Sequence, residues 1–147
     1  MPRAASRSVG EGVPSEAALR RIRIPFIQRV EFVCRDGSEE LFAVDLGLRG
    51  IFVERPAVLP RGEPAEVRFR LPGNEIPVLV RCRVAWSHQR GGTLASKRLP
   101  PGLGLEFVEA SERDLARLRE HLLEYLRGHH QLRRFERDWL EGEEEDQ

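Results

Sequence analysis

An alternation of apolar and polar side chains over residues 76–86 limits the possible folds of this chain more than any other feature of its sequence. From residue 78 to residue 86 every second position is apolar, and three polar residues lie on the opposite face. The apolar residues are Val78, Val80, Cys82, Val84 and Trp86, and the polar ones are Arg81, Arg83 and Ser87. A period of two is typical of a strand with one buried and one exposed face. Because a slip of one residue would expose the whole apolar set, this strand has a defined register against its neighbours.

Further segments with this alternation, or with a short apolar run between turn residues, also predict strands. They cover residues 26–34, 40–46, 51–53, 65–71 and 102–108. Turn sequences at residues 36–38 and 72–74 (DGS and PGN) predict hairpins between consecutive strands. Short strands separated by turns predict a mainly β protein built as an antiparallel barrel or a sandwich.

A helix is predicted after the last strand. Ser111 followed by Asp114 resembles a capping box, and apolar residues then recur at helical spacing: Leu115, Leu118, Leu122, Tyr125 and Leu126. The stripe continues to Trp139 before an acidic sequence, so residues 127–147 are predicted to form an amphipathic and acidic C-terminal extension. Its apolar face packs on its own domain, binds a protein partner or pairs with a second copy, so a monomer and a homodimer both stay open.

Composition restricts the classes of function. The 147 residues include 24 Lys and Arg against 24 Asp and Glu, and this formal charge of zero excludes a globally basic nucleic-acid-binding protein. Aromatic residues make up 7% of the chain and do not interleave with a basic strand, so nucleic acid is not an expected partner. Cys34 and Cys82 are too few for a disulfide framework, and this favours a reduced, cytoplasmic setting.

The N-terminal sequence predicts a flexible arm. Residues 1–18 mix small residues, proline and charges without a period. They have no apolar segment of the kind found in signal peptides, and no stretch of the chain approaches the roughly 18 apolar residues of a membrane-spanning helix. We therefore expect no membrane insertion and a domain that begins near residue 19.

Sequence motifs for catalysis and metal binding are missing. The four histidines lie neither in an HExxH motif nor at zinc-ligand spacing from a cysteine: His88, His121, His129 and His130. The chain also has no Walker A loop, no G-x-S-x-G and no G-x-G-x-x-G after a strand. We expect no enzyme activity, no catalytic residues, no cofactor and no metal site.

The order of these elements resembles the PilZ domain, a family of six-stranded β-barrels with a flanking helix. The resemblance covers residues 19–126. It rests on an arginine-rich segment leading into the first strand, on DLGLRG followed by an extended IFV, on the long strand ending RVAW, and on GLGLEF before a charged helix. It implies a six-stranded antiparallel PilZ-like barrel with a C-terminal helix, flanked by residues 1–18 and 127–147.

The resemblance also implies a ligand, because PilZ domains commonly bind the bacterial second messenger cyclic di-GMP (c-di-GMP). The family's ligand motifs are R-x-x-x-R and [D/N]-x-S-x-x-G. The corresponding residues here are Arg20, Arg21, Arg23, Asp45, Gly47 and Gly50. The arginine spacing is one residue short, and Gly47 stands where the family has serine.

The chemistry of a cyclic dinucleotide fits these residue types. Guanidinium groups fork onto phosphate oxygens and stack on bases, and a carboxylate accepts hydrogen bonds from the Watson–Crick edge of guanine. Loss of the serine hydroxyl at Gly47 costs about 1 kcal/mol of binding. A shift of one residue along an extended segment has a larger effect, because it turns a side chain to the opposite face.

Two functions are open from the sequence. In the first, c-di-GMP orders the arginine segment on the barrel, and the new surface contacts another protein. In the second, the chain is a degenerate, ligand-independent adaptor that acts through its C-terminal helix. The arginines then form a solvated surface or anchor nearby carboxylates. Asp45 closes a turn, and Gly47 and Gly50 supply positive φ angles there.

Overall fold

The structure is a computed structural model, and it describes residues 14–88 and 100–129. In chain order the elements are helix α1 (Glu16–Arg21), strands β1 (Arg23–Pro25), β2 (Arg29–Cys34), β3 (Gly37–Gly47), β4 (Gly50–Glu54), β5 (Pro64–Phe69), β6 (Val78–His88) and β7 (Gly102–Ala110), and helix α2 (Glu112–Arg127). Residues 1–13, 89–99 and 130–147 lie outside the described residues, and with them most of the predicted arm and of the C-terminal extension.

Strands β2 to β7 form a closed antiparallel barrel. Hydrogen-bonded neighbours run in the order β3-β2-β5-β6-β7-β4, and β4 pairs with β3 to complete the ring. The prediction of a six-stranded antiparallel barrel with a C-terminal helix is therefore confirmed, and the sandwich is excluded. In the closed barrel β3 is a neighbour of β4, and β5 lies on the opposite side of the ring from β4.

The alternation of β6 has the consequence expected from its sequence. Val78, Val80, Cys82 and Val84 are at most 3% exposed, and they fill the barrel interior with residues from the other strands. Trp86 is half-buried, and its ring stacks on Phe52 with 5.3 Å between ring centroids. Gly104 makes room for this indole, because a Cβ at Gly104 would lie 2.4 Å from Nε1 of Trp86.

Strand β1 is an addition that the sequence does not predict. It pairs with the last residues of β3, with Arg23 opposite Gly47 and Pro25 opposite Asp45. Residues 26–28, predicted as the start of a long first strand, instead connect β1 to β2. A segment of three residues that ends in proline is too short to show a period. This short strand brings the arginine segment onto the barrel.

Folded structure also begins earlier than the predicted domain boundary. Residues 16–18 of the predicted arm belong to α1, and Leu19 is only 2% exposed. The Ser15 hydroxyl caps the helix by accepting a hydrogen bond from the amide of Ala18 at 3.1 Å. The N-terminal boundary at residue 19 therefore falls inside a helix.

Helix α2 packs against the barrel core. Leu118 and Leu122 are fully buried, and the Ser111 hydroxyl caps the helix by accepting from the amide of Asp114 at 3.0 Å. The ring of His121 lies against Phe26 at 6.0 Å between centroids, and burial lowers the pKa of His121. Of the helices within the described ranges, neither is long and apolar enough to cross a membrane.

We expect the two thiols to react at very different rates in the folded protein. Burial raises the pKa of the Cys82 thiol to about 12, whereas Cys34 is only partly buried. Because the thiolate is the reactive form, dithionitrobenzoate should label Cys34 quickly and Cys82 only after denaturation. The Cys34→Ser variant should lose the fast reaction, and rapid labelling of that variant would contradict the burial of Cys82.

Candidate ligand-binding site

A buried ion pair between Arg23 of β1 and Asp45 of β3 forms the centre of the candidate site. Nη2 and Nε of Arg23 both donate to Oδ1 of Asp45, at 2.7 and 3.2 Å. The two side chains are 11% and 3% exposed. Charge-assisted hydrogen bonds are strong in such an environment, and an unpaired charge there is costly. The pair therefore holds β1 on the edge of β3.

Gly47 allows the close approach of the arginine segment, whereas Gly50 mainly allows the close approach of β7. A Cβ at Gly47 would lie 2.8 Å from the carbonyl oxygen of Ile22 and 3.1 Å from Cδ of Arg23. A Cβ at Gly50 would lie 2.3 Å from the carbonyl oxygen of Leu105 and 3.5 Å from Nη1 of Arg23. The expectation that these glycines supply positive φ angles is wrong. Among the described residues those angles occur at other glycines, namely Gly37, Gly62 and Gly73.

The three candidate arginines are divided between two environments. Arg20 and Arg21 lie exposed in the last turn of α1, and Arg23 is buried against Asp45. The segment is expected from its sequence to be extended, but residues 20 and 21 are helical, so their side chains project about 100° apart around the helix axis. The structure thus joins Arg23 with Asp45, Gly47 and Gly50 and presents the other two arginines to solvent.

A second ion pair near this segment is not apparent from the sequence. Arg119 of α2 donates from Nη1 and Nη2 to Oε1 and Oε2 of Glu16 at 2.6 and 2.7 Å. This contact lowers the pKa of Glu16 and raises the pKa of Arg119. The two residues lie 103 positions apart, so no local spacing could have revealed the contact. It links the helix that carries Arg20 and Arg21 to α2.

The histidines of the described segments occupy separate places. His88 is buried at the end of β6, His121 packs on Phe26, and His129 stacks on Tyr125 at 3.9 Å between centroids. Over residues 14–88 and 100–129, no group of three or more His, Cys, Asp or Glu side chains could hold a metal ion. At Arg23 and Asp45 the guanidinium can donate hydrogen bonds to an anionic group, and the carboxylate can accept them from N–H groups.

Known proteins share the sequence pattern and the fold of this domain. A profile described as PilZ domain matches residues 19–127. The Bacillus subtilis inhibitor of motility (MotI/DgrA) has a TM-score of 0.60 and 17% identity, over 71% of this chain and 49% of that chain. The PilZ domain of YcgR from Escherichia coli, solved with c-di-GMP, has a TM-score of 0.51 and 15% identity, over 82% and 95%. Comparison with curated proteins gives no match.

This chain covers very different shares of the two known structures. The chain spans about half of the Bacillus subtilis protein and nearly all of the Escherichia coli domain. At such low identity, the likeness concerns the fold.

Replacing Asp45 by Asn is expected to destabilise the fold by about 3–5 kcal/mol, because it removes the carboxylate charge that pairs with the buried Arg23. Urea unfolding followed by circular dichroism measures this difference. Glu109→Gln is the matched control, since Glu109 pairs with Arg81 on the surface and both side chains are more than 60% exposed. Glu109→Gln should lower the free energy of unfolding by at most about 1 kcal/mol. Equal losses at the two positions would contradict the importance of the buried pair.

Gly47→Ala is expected to destabilise the protein by about 1–3 kcal/mol, because the added Cβ meets the backbone at Ile22. Gly47→Ser should destabilise it too, although serine is the residue of the family motif. Gly128→Ala is the control, because a Cβ there would approach nothing closer than the carbonyl oxygen of Tyr125 at 3.9 Å. Thermal unfolding of the three variants tests this, and an unchanged midpoint for Gly47→Ala would refute the close approach.

Proposed function

The chain belongs to the PilZ domain family, and from this premise we propose that it binds c-di-GMP at the arginine segment and relays the signal by contact with another protein. PilZ domains form a family of c-di-GMP receptors that generally act in signalling and not as enzymes. A cytoplasmic location, as expected from the sequence, is part of the proposal. The Escherichia coli domain that shares the fold was solved with this ligand.

The observation that carries the proposal is the meeting of the two motif segments at the edge between β1 and β3. Arg23 and Asp45 lie 22 positions apart in sequence and form a direct contact. Gly47 and Gly50 border the same guanidinium group. A guanidinium, a carboxylate and closely approaching backbone in one place match the requirements of a phosphate and a guanine edge.

Binding of c-di-GMP would replace Arg23 by guanine as the hydrogen-bond partner of Asp45. The N–H groups of Arg23 now donate to its carboxylate, as the Watson–Crick N–H groups of guanine would in the complex. A guanine that takes this position displaces the guanidinium of Arg23, which then turns to a phosphate. Because the exchange breaks a buried ion pair, part of the binding free energy is used to change the conformation, and the apparent affinity is lowered.

The same exchange supplies a route for the signal. Release of Arg23 loosens β1, and with it α1, which directly precedes this strand. Helix α1 contacts α2 through Glu16 and Arg119, so a movement of α1 changes the contacts of α2. A protein partner that recognises α2 or the following extension then distinguishes the bound state from the free state.

One observation favours the second candidate function, a ligand-independent adaptor. The pair of Arg23 and Asp45 is already buried, and Gly47 brings the backbone of Ile22 too close for the serine of the family motif. If this pair stays closed, only the exposed Arg20 and Arg21 remain for a ligand. The protein would then act as an adaptor through its C-terminal helix and the extension that follows it.

Isothermal titration calorimetry of the full chain with c-di-GMP distinguishes the two functions. Wild-type protein should bind in the micromolar range, and Arg20→Ala/Arg21→Ala should weaken binding at least about tenfold, or about 1.4 kcal/mol. Both arginines are exposed, so this variant should remain folded. The control is Arg61→Ala/Arg68→Ala, which removes two exposed arginines beside or on β5, across the barrel from β4.

Two results would count against the receptor function. The first is equal weakening by both double variants, which would indicate a nonspecific charge effect. The second is the absence of heat and of competition with a labelled ligand, for folded wild-type protein, up to about millimolar c-di-GMP. The second result would favour the adaptor.

A further inference from the structure

Glu16 of α1 is bound by an arginine of α2 and lies one helical turn before an arginine of its own helix. Arg119 of α2 binds its carboxylate with two hydrogen bonds at 2.6 and 2.7 Å. Arg20 is four residues further along α1, which places it on the same face as Glu16. The positive charge of Arg20 also lowers the pKa of Glu16. The carboxylate therefore has one guanidinium bound to it and is under the influence of a second positive charge.

The geometry of this contact is that of an anion site. Each oxygen of Glu16 accepts from a different terminal nitrogen of Arg119, in the parallel arrangement that a guanidinium adopts with planar or tetrahedral oxyanions. The two non-bridging oxygens of a phosphodiester accept hydrogen bonds from a guanidinium in the same way. The position of the Glu16 carboxylate is thus one that a phosphate group can occupy.

The exposure of the pair permits exchange. The side chains of Glu16 and Arg119 are 53% and 42% exposed, in contrast to the buried pair of Arg23 and Asp45. Exposed ion pairs contribute little to stability because water and salt compete with them. A ligand phosphate can therefore replace the Glu16 carboxylate without the large penalty of breaking a buried pair.

The arginine motif of this chain is one residue shorter than that of the family, which leaves Arg20 without a second motif arginine on its own face of α1. Arg20 and Arg21 project about 100° apart on α1, so both cannot readily face one phosphate. Arg119 contacts the face of α1 on which Glu16 and Arg20 lie. We propose that Arg119 joins Arg20 in binding a phosphate of the cyclic dinucleotide, and that Glu16 is the internal carboxylate which this phosphate displaces. This proposal rests on the proposed function as a c-di-GMP receptor.

A different role for the pair makes an opposite prediction. Helix α1 has six residues, and a helix of that length depends on contacts with the rest of the protein. If Glu16 and Arg119 only hold α1 in position, then removal of either charge disturbs Arg20 and weakens ligand binding. If Glu16 competes with the phosphate, its removal strengthens binding, whereas removal of Arg119 weakens it.

The test is a titration of c-di-GMP into the full chain with the variants Glu16→Gln and Arg119→Gln. We expect Arg119→Gln to raise Kd about fivefold or more, since it removes a charge-assisted contact. Glu16→Gln should lower Kd by roughly threefold, since it removes a competing carboxylate near the phosphate. Arg119→Lys, which keeps the charge without the planar fork, should have an intermediate Kd.

Arg127→Gln is the matched control. Arg127 lies on the same helix, and its exposed side chain pairs with Glu124 at 3.8 Å. Arg127→Gln removes one positive charge from α2, as Arg119→Gln does. Because salt screens a charge that does not contact the ligand, the Kd of Arg127→Gln should stay within about twofold of wild type. Circular dichroism and thermal unfolding check that all variants are folded, as the exposure of these side chains leads us to expect.

Three results would overturn the inference. Weakening of binding by both Glu16→Gln and Arg119→Gln would show that the pair positions α1. Unchanged binding in both variants, together with loss of binding in Arg20→Ala/Arg21→Ala, would leave the receptor function in place without Arg119. Absence of binding by wild-type protein would overturn the receptor function and this inference together.

Discussion

The buried ion pair between Arg23 and Asp45 is the interaction on which the arrangement of the N-terminal segment depends. It connects β1 to β3, and through β1 it determines where α1 lies on the barrel. The close approach of this segment explains why residue 47 is glycine, since a Cβ there would meet the carbonyl oxygen of Ile22. Loss of either charge would remove a charge-assisted contact from its buried partner, which makes the pair a strong constraint.

Two internal contacts of this segment use the chemistry that a cyclic dinucleotide would use. Arg23 donates to Asp45 as a guanine edge would, and Glu16 accepts from Arg119 as a phosphate would. The side chains of the proposed receptor therefore contact one another through groups that the ligand would also contact. One contact is buried and the other exposed, so they differ in how much free energy their exchange requires. One involves α1 and the other the strand that follows it, and the contact of Glu16 with Arg119 links α1 to α2.

The barrel could be predicted because its strands are long enough to show a period. The alternation in β6, the turns of the hairpins and the cap at Ser111 are local signals, and each corresponds to an element of the structure. Helix α1 and strand β1 were missed because six and three residues carry little periodicity. The Ser15 cap with Glu16 in the first turn was the available signal for α1. The sequence also could not show that Gly47 and Gly50 serve close packing and not positive φ angles, because that depends on neighbouring segments.

For the site, the residue types and the family motifs were readable from the chain alone, since they depend on identity and local spacing. Arg23, Asp45, Gly47 and Gly50 were selected in this way, and the fold brings them together. The separation of Arg23 from Arg20 and Arg21, and the contact between Glu16 and Arg119, required the folded chain. The physical reason is that burial and ion pairing depend on distances between residues far apart in sequence, and those distances are set by the pairing of β1 with β3 and the packing of α2 on the barrel.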